Sequence, residues 1–415
     1  MVYQMYIYAT SFIAFLTGYV IYSFYREFIY QFIVLKLFQQ FKHGNFELIN
    51  SKTNQIIFSK INNKELPIAK AYIHNVGAFF TAVSKDGELG VGESYTRGEW
   101  SSDDVTYFLT TIVSNRNNEC ISKLNQYTFN NTVLSAKKNV MHHYDVGNDF
   151  YETFLTDSFA AYTCGFFLNN ATTLEEAQKN KVDTIISKLN PDENKTILDI
   201  GCGWGKIANY VSKKTKCKVT GVSISKEQIK YINENLPNIC VIEKDYRNIN
   251  ETFDYIYVIG MIEHVGYKNY DDFFNTIKRC LNVDGRCVLH TIVTLEKTNE
   301  HTVNETFISK HIFPGGQIPN NDWITNAVMK AELNIVHSEF FGGQHYARTL
   351  RHWRENMMKN KEYIVKQYGV QFLNTYEYYM ASCEAMFNTG SMGIAHYVIT
   401  NKNEVDLQNN FVYFK

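Results

Sequence analysis

No charged side chain occurs between Met1 and Tyr25, no C-x-x-C pair occurs anywhere, and only 5 prolines and 23 glycines are spread over 415 residues. The scarcity of proline and glycine excludes a long flexible linker or a low-complexity array. Eight cysteines stand singly, without Cys/His clustering. That excludes a disulfide framework and a structural zinc site, so no metal is expected and a reducing compartment fits. Charge of one sign is also lacking: 41 Lys+Arg balance 42 Asp+Glu for a net charge of −1. Counterion release from a phosphate backbone then cannot drive binding, and nucleic acid is not an expected partner. At 45% hydrophobic residues the chain is long enough for two folded units with real cores. What is abundant is aromatic, with 29 Tyr and 29 Phe.

The uncharged stretch around Tyr6 to Phe24 is long enough to cross a hydrocarbon layer of ~30 Å as a helix. Arg26, Lys36 and Lys42 follow it, which by the positive-inside rule puts the body of the chain on the cytoplasmic side. Residues 1–43 are therefore expected to be a hydrophobic anchor that spans the bilayer or lies in its interface. The competing reading is a helix buried against the body.

Residues 44–135 read as a small α+β module. Short strands are expected at Phe46 to Ile49, Gln55 to Phe58 and Gly77 to Phe80, and a helix from Ser101 to Asn115 capped by Ser101 or Ser102. Residues 136–415 form a second unit. From Thr196 onward, strand, glycine turn and helix alternate, which predicts a parallel sheet covered on both faces. A helical block from Tyr346 to Phe387, between β-like stretches at Leu333 to Phe341 and Ala395 to Thr400, predicts an inserted pocket wall at about 343–390.

In Leu198-Asp-Ile-Gly-Cys-Gly-Trp-Gly205 three glycines alternate where a strand turns into a helix. They let backbone approach a ligand, and the helix N–H groups favour a polar or negative group. The spacing G-x-G-x-G differs from the dinucleotide pattern G-x-G-x-x-G. Asp199 suits a ligand's ammonium group, or caps the turn.

This run resembles motif I of class I S-adenosylmethionine-dependent methyltransferases. On that resemblance Gly201, Cys202, Gly203 and Gly205 line the cofactor. Ser223, Ser225 and Gln228 stand in for the acidic ribose ligand that many such enzymes carry, Asp245 accepts from the adenine amino group, and Tyr246 forms an apolar wall. Further segments resemble the cyclopropane-fatty-acyl-phospholipid synthases and their mycolic-acid relatives: Gly90 to Trp100, His143 to Phe150, Tyr162-Thr-Cys164, Met261 to Gly266, His290-Thr-Ile292, Phe313-Pro-Gly-Gly316 and His345 to Leu350.

The resemblance implies a Rossmann-like, doubly wound, mostly parallel sheet with an antiparallel last strand. It also implies methyl transfer to the double bond of a phospholipid acyl chain at a membrane surface. An isolated alkene is a weak nucleophile and leaves a cation on methylation, so aromatic faces and exclusion of water are needed. Ring closure then needs a base. In the family this base is a bound bicarbonate, which puts Glu263, His290 and Tyr346 around it with backbone contacts at Cys164 and Ile292. Tyr162 and Thr163 would cover the cofactor's methionine part, with His143 and Tyr144 in the same cap. Arg348, Arg351 and Arg354 are candidates for phosphate contact. Methyl branching, sphingolipid C-methylation and amine N-methylation use the same scaffold and remain open, as does a homodimer.

Overall fold

The computed structural model describes residues 25–116, 126–127, 147–295, 303–304 and 306–401. The chain divides into two compact units, Met1–Leu124 with Gly369–Tyr378, and Asn125–Tyr368 with Tyr379–Lys415. The uncharged segment at 1–24, and His143 and Tyr144, lie outside the described residues. Among the described residues no helix is long and apolar enough to cross a membrane.

In the first unit, residues 25–38 are helical. They are followed by strands β1 (Asn45–Asn50), β2 (Ile56–Ile61), β3 (Ile68–Ile73) and β4 (Trp100–Ser101), in sheet order β2-β1-β3-β4. Val34 and Phe38 of the helix are buried, and Phe38 meets Phe46 edge-on at 5.4 Å. The opposite face leaves Tyr25, Phe28, Ile29, Phe32 and Ile33 exposed.

Two local expectations fail here. Gly77 to Phe80 belong to a helix, Val76–Thr96, because the Asn75 side chain accepts from the Ala78 N–H and caps it. An apolar pair such as Phe79 and Phe80, both buried, does not distinguish strand from helix. The helix breaks at Gly87, whose φ is +55°. Ser101 is in β4, and the next helix, Val105–Val113, is capped by Asp104, which accepts from the Tyr107 N–H at 2.9 Å.

The second unit is built on a seven-stranded sheet. A separate two-residue pair, β5 (Gln126–Tyr127) with β11 (Val303–Asn304), is antiparallel. The large sheet contains β6 (Thr196–Ile200), β7 (Lys218–Ser223), β8 (Cys240–Glu243), β9 (Phe253–Ile259), β10 (Leu281–Thr294), β12 (Asn334–Phe340) and β13 (Met392–Thr400). Its order is β12-β13-β10-β9-β6-β7-β8. The pairs among β6 to β10 are parallel, and β13 is antiparallel to both β10 and β12. This matches the expected antiparallel last strand.

Strands β9 and β13 are nearly continuous apolar runs because both faces of the sheet are covered. Helices Tyr270–Cys280 and Asn321–Lys330 bury Phe273, Ile277, Trp323 and Val328 in one apolar cluster. Helices Leu174–Leu189 and Lys206–Thr215 bury Val182, Ile185, Ala208 and Val211 in another. Between β12 and β13 the chain forms three helices, Gln344–Lys359, Lys361–Tyr368 and Val370–Asn388.

Candidate active site

The carboxyl end of β6 delivers Asp199 and the glycine turn to one place. Gly201, Gly203 and Gly205 all have positive φ, at +86°, +55° and +71°, a conformation that side chains with a Cβ rarely adopt. A Cβ on Gly203 would enter open space, whereas one on Gly205 would strike Ile232. The turn therefore leaves a cradle over Gly203. Cys202 faces away from chemistry: its Sγ would meet a Cβ on Gly221 at 2.7 Å, and burial raises its thiol pKa. Its role is packing.

Asp199 is buried and accepts from the Tyr257 hydroxyl at 2.7 Å. Burial pushes its carboxyl up to about 7, against the pull of Tyr257 and Lys181. Lys181, missed in the sequence, is fully buried and donates to Thr163 Oγ1 at 2.8 Å and Gln178 Oε1 at 2.7 Å. Burial brings its ammonium down to about 8. The signal was available: Lys181 falls on the buried stripe of helix Leu174–Leu189, where a charge is costly unless it is used.

After β7, Ser223 Oγ donates to Gln228 Oε1 at 2.9 Å and accepts from the Ser225 N–H. Ser225 caps the helix Lys226–Asn235, so all three residues form one N-terminal network. Asp245 is held by Arg247, which donates Nε and Nη2 to its two oxygens at 2.8 Å each. Tyr246 is buried in the core, edge-on to Phe273 at 5.6 Å. Protein partners thus already engage Asp245 and Tyr246.

Glu263, Ile292, Cys164 and Tyr346 come together where the turn after β9, strand β10, the Cys164 segment and helix Gln344–Lys359 meet. Glu263 lies in a 3-10 turn after β9, and its Oε1 accepts the Ile292 N–H at 2.7 Å. Among the described residues its buried Oε2 has no hydrogen-bond partner. Burial raises the Glu263 carboxyl pKa, and the Ile292 N–H offsets this in part. The Ile292 amide therefore orients Glu263 directly, a tighter link than the separate backbone contact expected of it. The Gln317 N–H, just after Phe313-Pro-Gly-Gly316, holds the Glu263 carbonyl at 2.8 Å.

His290 is buried on the same strand as Ile292, and burial holds its pKa well below the usual value. Burial raises the Tyr346 hydroxyl pKa, and the neighbouring Cys164 and Glu263 add to the shift. The Gly165 N–H donates to Thr349 Oγ1 at 3.0 Å, which ties the Cys164 segment to the helix bearing Tyr346. The Cys164 thiol is fully buried and raised in pKa, unsuited to nucleophilic attack.

Aromatic rings link these parts. Trp204 in the glycine turn meets Tyr151 at 5.8 Å, Tyr151 meets Tyr162 at 5.5 Å, Tyr162 meets Trp353 at 5.1 Å, and Trp353 meets Tyr346 at 6.0 Å. Phe313 adds a further face to Tyr162 at 6.1 Å. Arg351 and Arg354 instead serve an internal role, pairing with the buried Glu384 at 2.8 and 3.4 Å. Arg348 lies over the Phe167 ring at 4.0 Å.

With this geometry in hand, comparisons place the chain among known proteins. A family model described as mycolic acid cyclopropane synthetase matches residues 132–397. The chain is 33% identical over 325 residues to the cyclopropane-fatty-acyl-phospholipid synthase of Escherichia coli K12, covering 74% of this chain and 82% of that protein. It is 33% identical over 288 residues to a sphingolipid C9-methyltransferase of Komagataella phaffii, covering 64% and 58% of the two chains. A crystal structure of a mycolic acid cyclopropane synthase complexed with SAH and CTAB aligns with a TM-score of 0.59 at 29% identity, over 63% of this chain and 97% of that one.

Proposed function

Since the chain belongs to the mycolic acid cyclopropane synthetase family and is an S-adenosylmethionine-dependent methyltransferase of the cyclopropane synthase type, we propose that it methylates the double bond of an unsaturated phospholipid acyl chain and closes the product to a cyclopropane ring. The observation that carries this reading is the ring series from Trp204 to Tyr346, ending beside the buried Glu263. Aromatic faces stabilise a cation without bonding to it, and a dry enclosure prevents its capture by water.

S-adenosylmethionine, when bound, supplies an electrophilic methyl carbon. Asp199 and the open cradle at Gly203 fit its cationic amino-acid end and its close approach to backbone. Transfer of that methyl to the alkene, the S–CH3 pair staying on sulfur, would leave a cation on the neighbouring acyl carbon, and the Tyr162, Trp353 and Tyr346 rings would flank it. Loss of a proton from the delivered methyl group lets its C–H pair close the ring.

Three polar groups fit a small captive anion as the base. Glu263 Oε2 has no hydrogen-bond partner among the described residues. His290 Nε2 and the Tyr346 hydroxyl have no hydrogen-bond partner among the described residues. Bicarbonate, when bound, would supply the proton acceptor; His290 and Tyr346 would donate to it and Glu263 would accept from its hydroxyl.

The exposed apolar face of helical residues 25–38 supports docking at a membrane surface, next to the uncharged segment 1–24 and with the body on the cytoplasmic side. The full chain, S-adenosylmethionine and unsaturated phospholipid vesicles, followed by mass spectrometry of the acyl chains, test the reading. A CH2 gain that survives mild hydrogenation supports a ring. A reducible CH2 gain favours branching of the kind named for the Komagataella relative, and no gain refutes lipid methylation.

A further inference from the structure

His290 does not stand alone on β10. In the antiparallel pairing of β10 with β13 its Cα partner is His396, and in the pairing of β13 with β12 the Cα partner of His396 is Glu339. Three adjacent strands thus place three polar side chains in one row. Lys188, from helix Leu174–Leu189, bridges the last two. His290 Nδ1 lies 2.7 Å from His396 Nε2, His396 Nδ1 lies 3.0 Å from Lys188 Nζ, and Lys188 Nζ lies 2.5 Å from Glu339 Oε2. Both histidines are buried, and the Phe166 ring covers them at 5.6 and 5.3 Å.

The direction of this chain follows from the donor inventory. An ammonium group has only hydrogens to give; burial lowers the Lys188 pKa, and the Glu339 carboxylate 2.5 Å away opposes that shift and favours the charged form. His396 Nδ1 must therefore accept from Lys188. A neutral imidazole carries one hydrogen, so that of His396 is on Nε2 and is donated to His290 Nδ1. His290 in turn must carry its own hydrogen on Nε2.

We propose that Glu339, Lys188 and His396 are positioning residues that lock His290 in the Nε2–H tautomer, so that His290 acts in the active site as a hydrogen-bond donor. The inference rests on the proposed anion pocket for its purpose, but the tautomer itself follows from the row of side chains. A His290 free to adopt the other tautomer would present a lone pair to an anion, which repels it. Orientation of a working imidazole through its second nitrogen is the general device by which proteins fix such a choice.

The test uses the full chain labelled with 15N-histidine, the ring resonances of His290 and His396 assigned with His290→Gln and His396→Gln. Proton-coupled 15N spectra should show hydrogen on Nε2 of both rings in the native protein and in Lys188→Arg, which can also only donate. Lys188→Met should let His290 exchange between tautomers and lower kcat on unsaturated phospholipid vesicles by about tenfold, with the KM for S-adenosylmethionine changed less than about twofold. Hydrogen on Nδ1 of His290 in the native protein overturns the proposal. So does a native-like His290 spectrum in a folded Lys188→Met. If the spectra are as expected while the protein methylates no lipid, the tautomer lock stands and the reading of the pocket falls.

Discussion

The Tyr257 hydroxyl reaches Asp199 Oδ2 at 2.7 Å, yet the acid remains at about 7 because burial outweighs that bond and the nearby Lys181. The group is raised above its unfolded value. The unliganded protein therefore holds a proton on Asp199 that the unfolded chain has lost, and this contribution to stability disappears as pH rises from about 4 through 7.

Asp199→Asn should flatten that slope. At pH 8 the unliganded variant should melt higher than the native protein by roughly 2–4 °C per kcal/mol recovered, and at pH 5 the gap should shrink. Thermal unfolding at both pH values reads this, and an equal gap at both contradicts it. S-adenosylmethionine affinity of the native protein should rise as pH increases through 7, because only ionised Asp199 pairs with an ammonium group. Lys181→Met removes the neighbouring charge that lowers Asp199, so the midpoint in a calorimetric titration series should move to higher pH.

Gly203→Val places a branched side chain at φ +55°, over the open cradle. A non-glycine residue there costs about 1–2 kcal/mol of strain. The larger effect should fall on ligand binding, with the dissociation constant for S-adenosylmethionine rising well beyond the roughly thirtyfold that 2 kcal/mol of strain could give. Circular dichroism and equilibrium binding separate the two effects. A folded variant with native affinity would mean that the donor approaches elsewhere.

The α/β alternation after Thr196 was legible because glycine turns and apolar strands punctuate it in the chain itself. The glycine turn stands out as a local run, whereas Glu263, His290 and Tyr346 are singled out only by the family resemblance of the segments that carry them. What stayed hidden depends on pairing across distance. His396 is one histidine in an apolar strand, and only its register opposite His290 gives it meaning. Likewise, nothing local told that Arg351 and Arg354 hold Glu384 from 30 or more residues away. Gly77 to Phe80 misled because a short apolar run carries no period, and the deciding cap, Asn75, lies just before it.

Phe28 and Phe32 are one turn apart on the exposed face of helical residues 25–38, at 71% and 56% exposure. Burying each ring in an apolar phase is worth about 1.5–3 kcal/mol. The double variant Phe28→Ser, Phe32→Ser should therefore lose more than about tenfold in vesicle partitioning. Thermal stability should shift little, because neither ring belongs to the core. Unchanged co-sedimentation with vesicles would remove this face from the membrane contact.

Glu263→Gln and Tyr346→Phe separate chemistry from binding. The glutamine keeps an oxygen for the Ile292 N–H, so the local fold survives, but the second oxygen becomes an amide that donates where an acceptor is needed. Turnover should fall by about 10²-fold or more, the range for losing a group that handles a proton. Tyr346→Phe keeps the ring against Phe387 at 4.6 Å and deletes only the hydroxyl, so a smaller loss of about tenfold is expected. In both variants the dissociation constant of S-adenosylmethionine should stay within about threefold of native, as expected for interactions made only along the reaction path. Single-turnover rates beside equilibrium binding decide the matter: if affinity falls as steeply as rate, Glu263 and Tyr346 hold the donor, and the anion pocket must be sought among other residues.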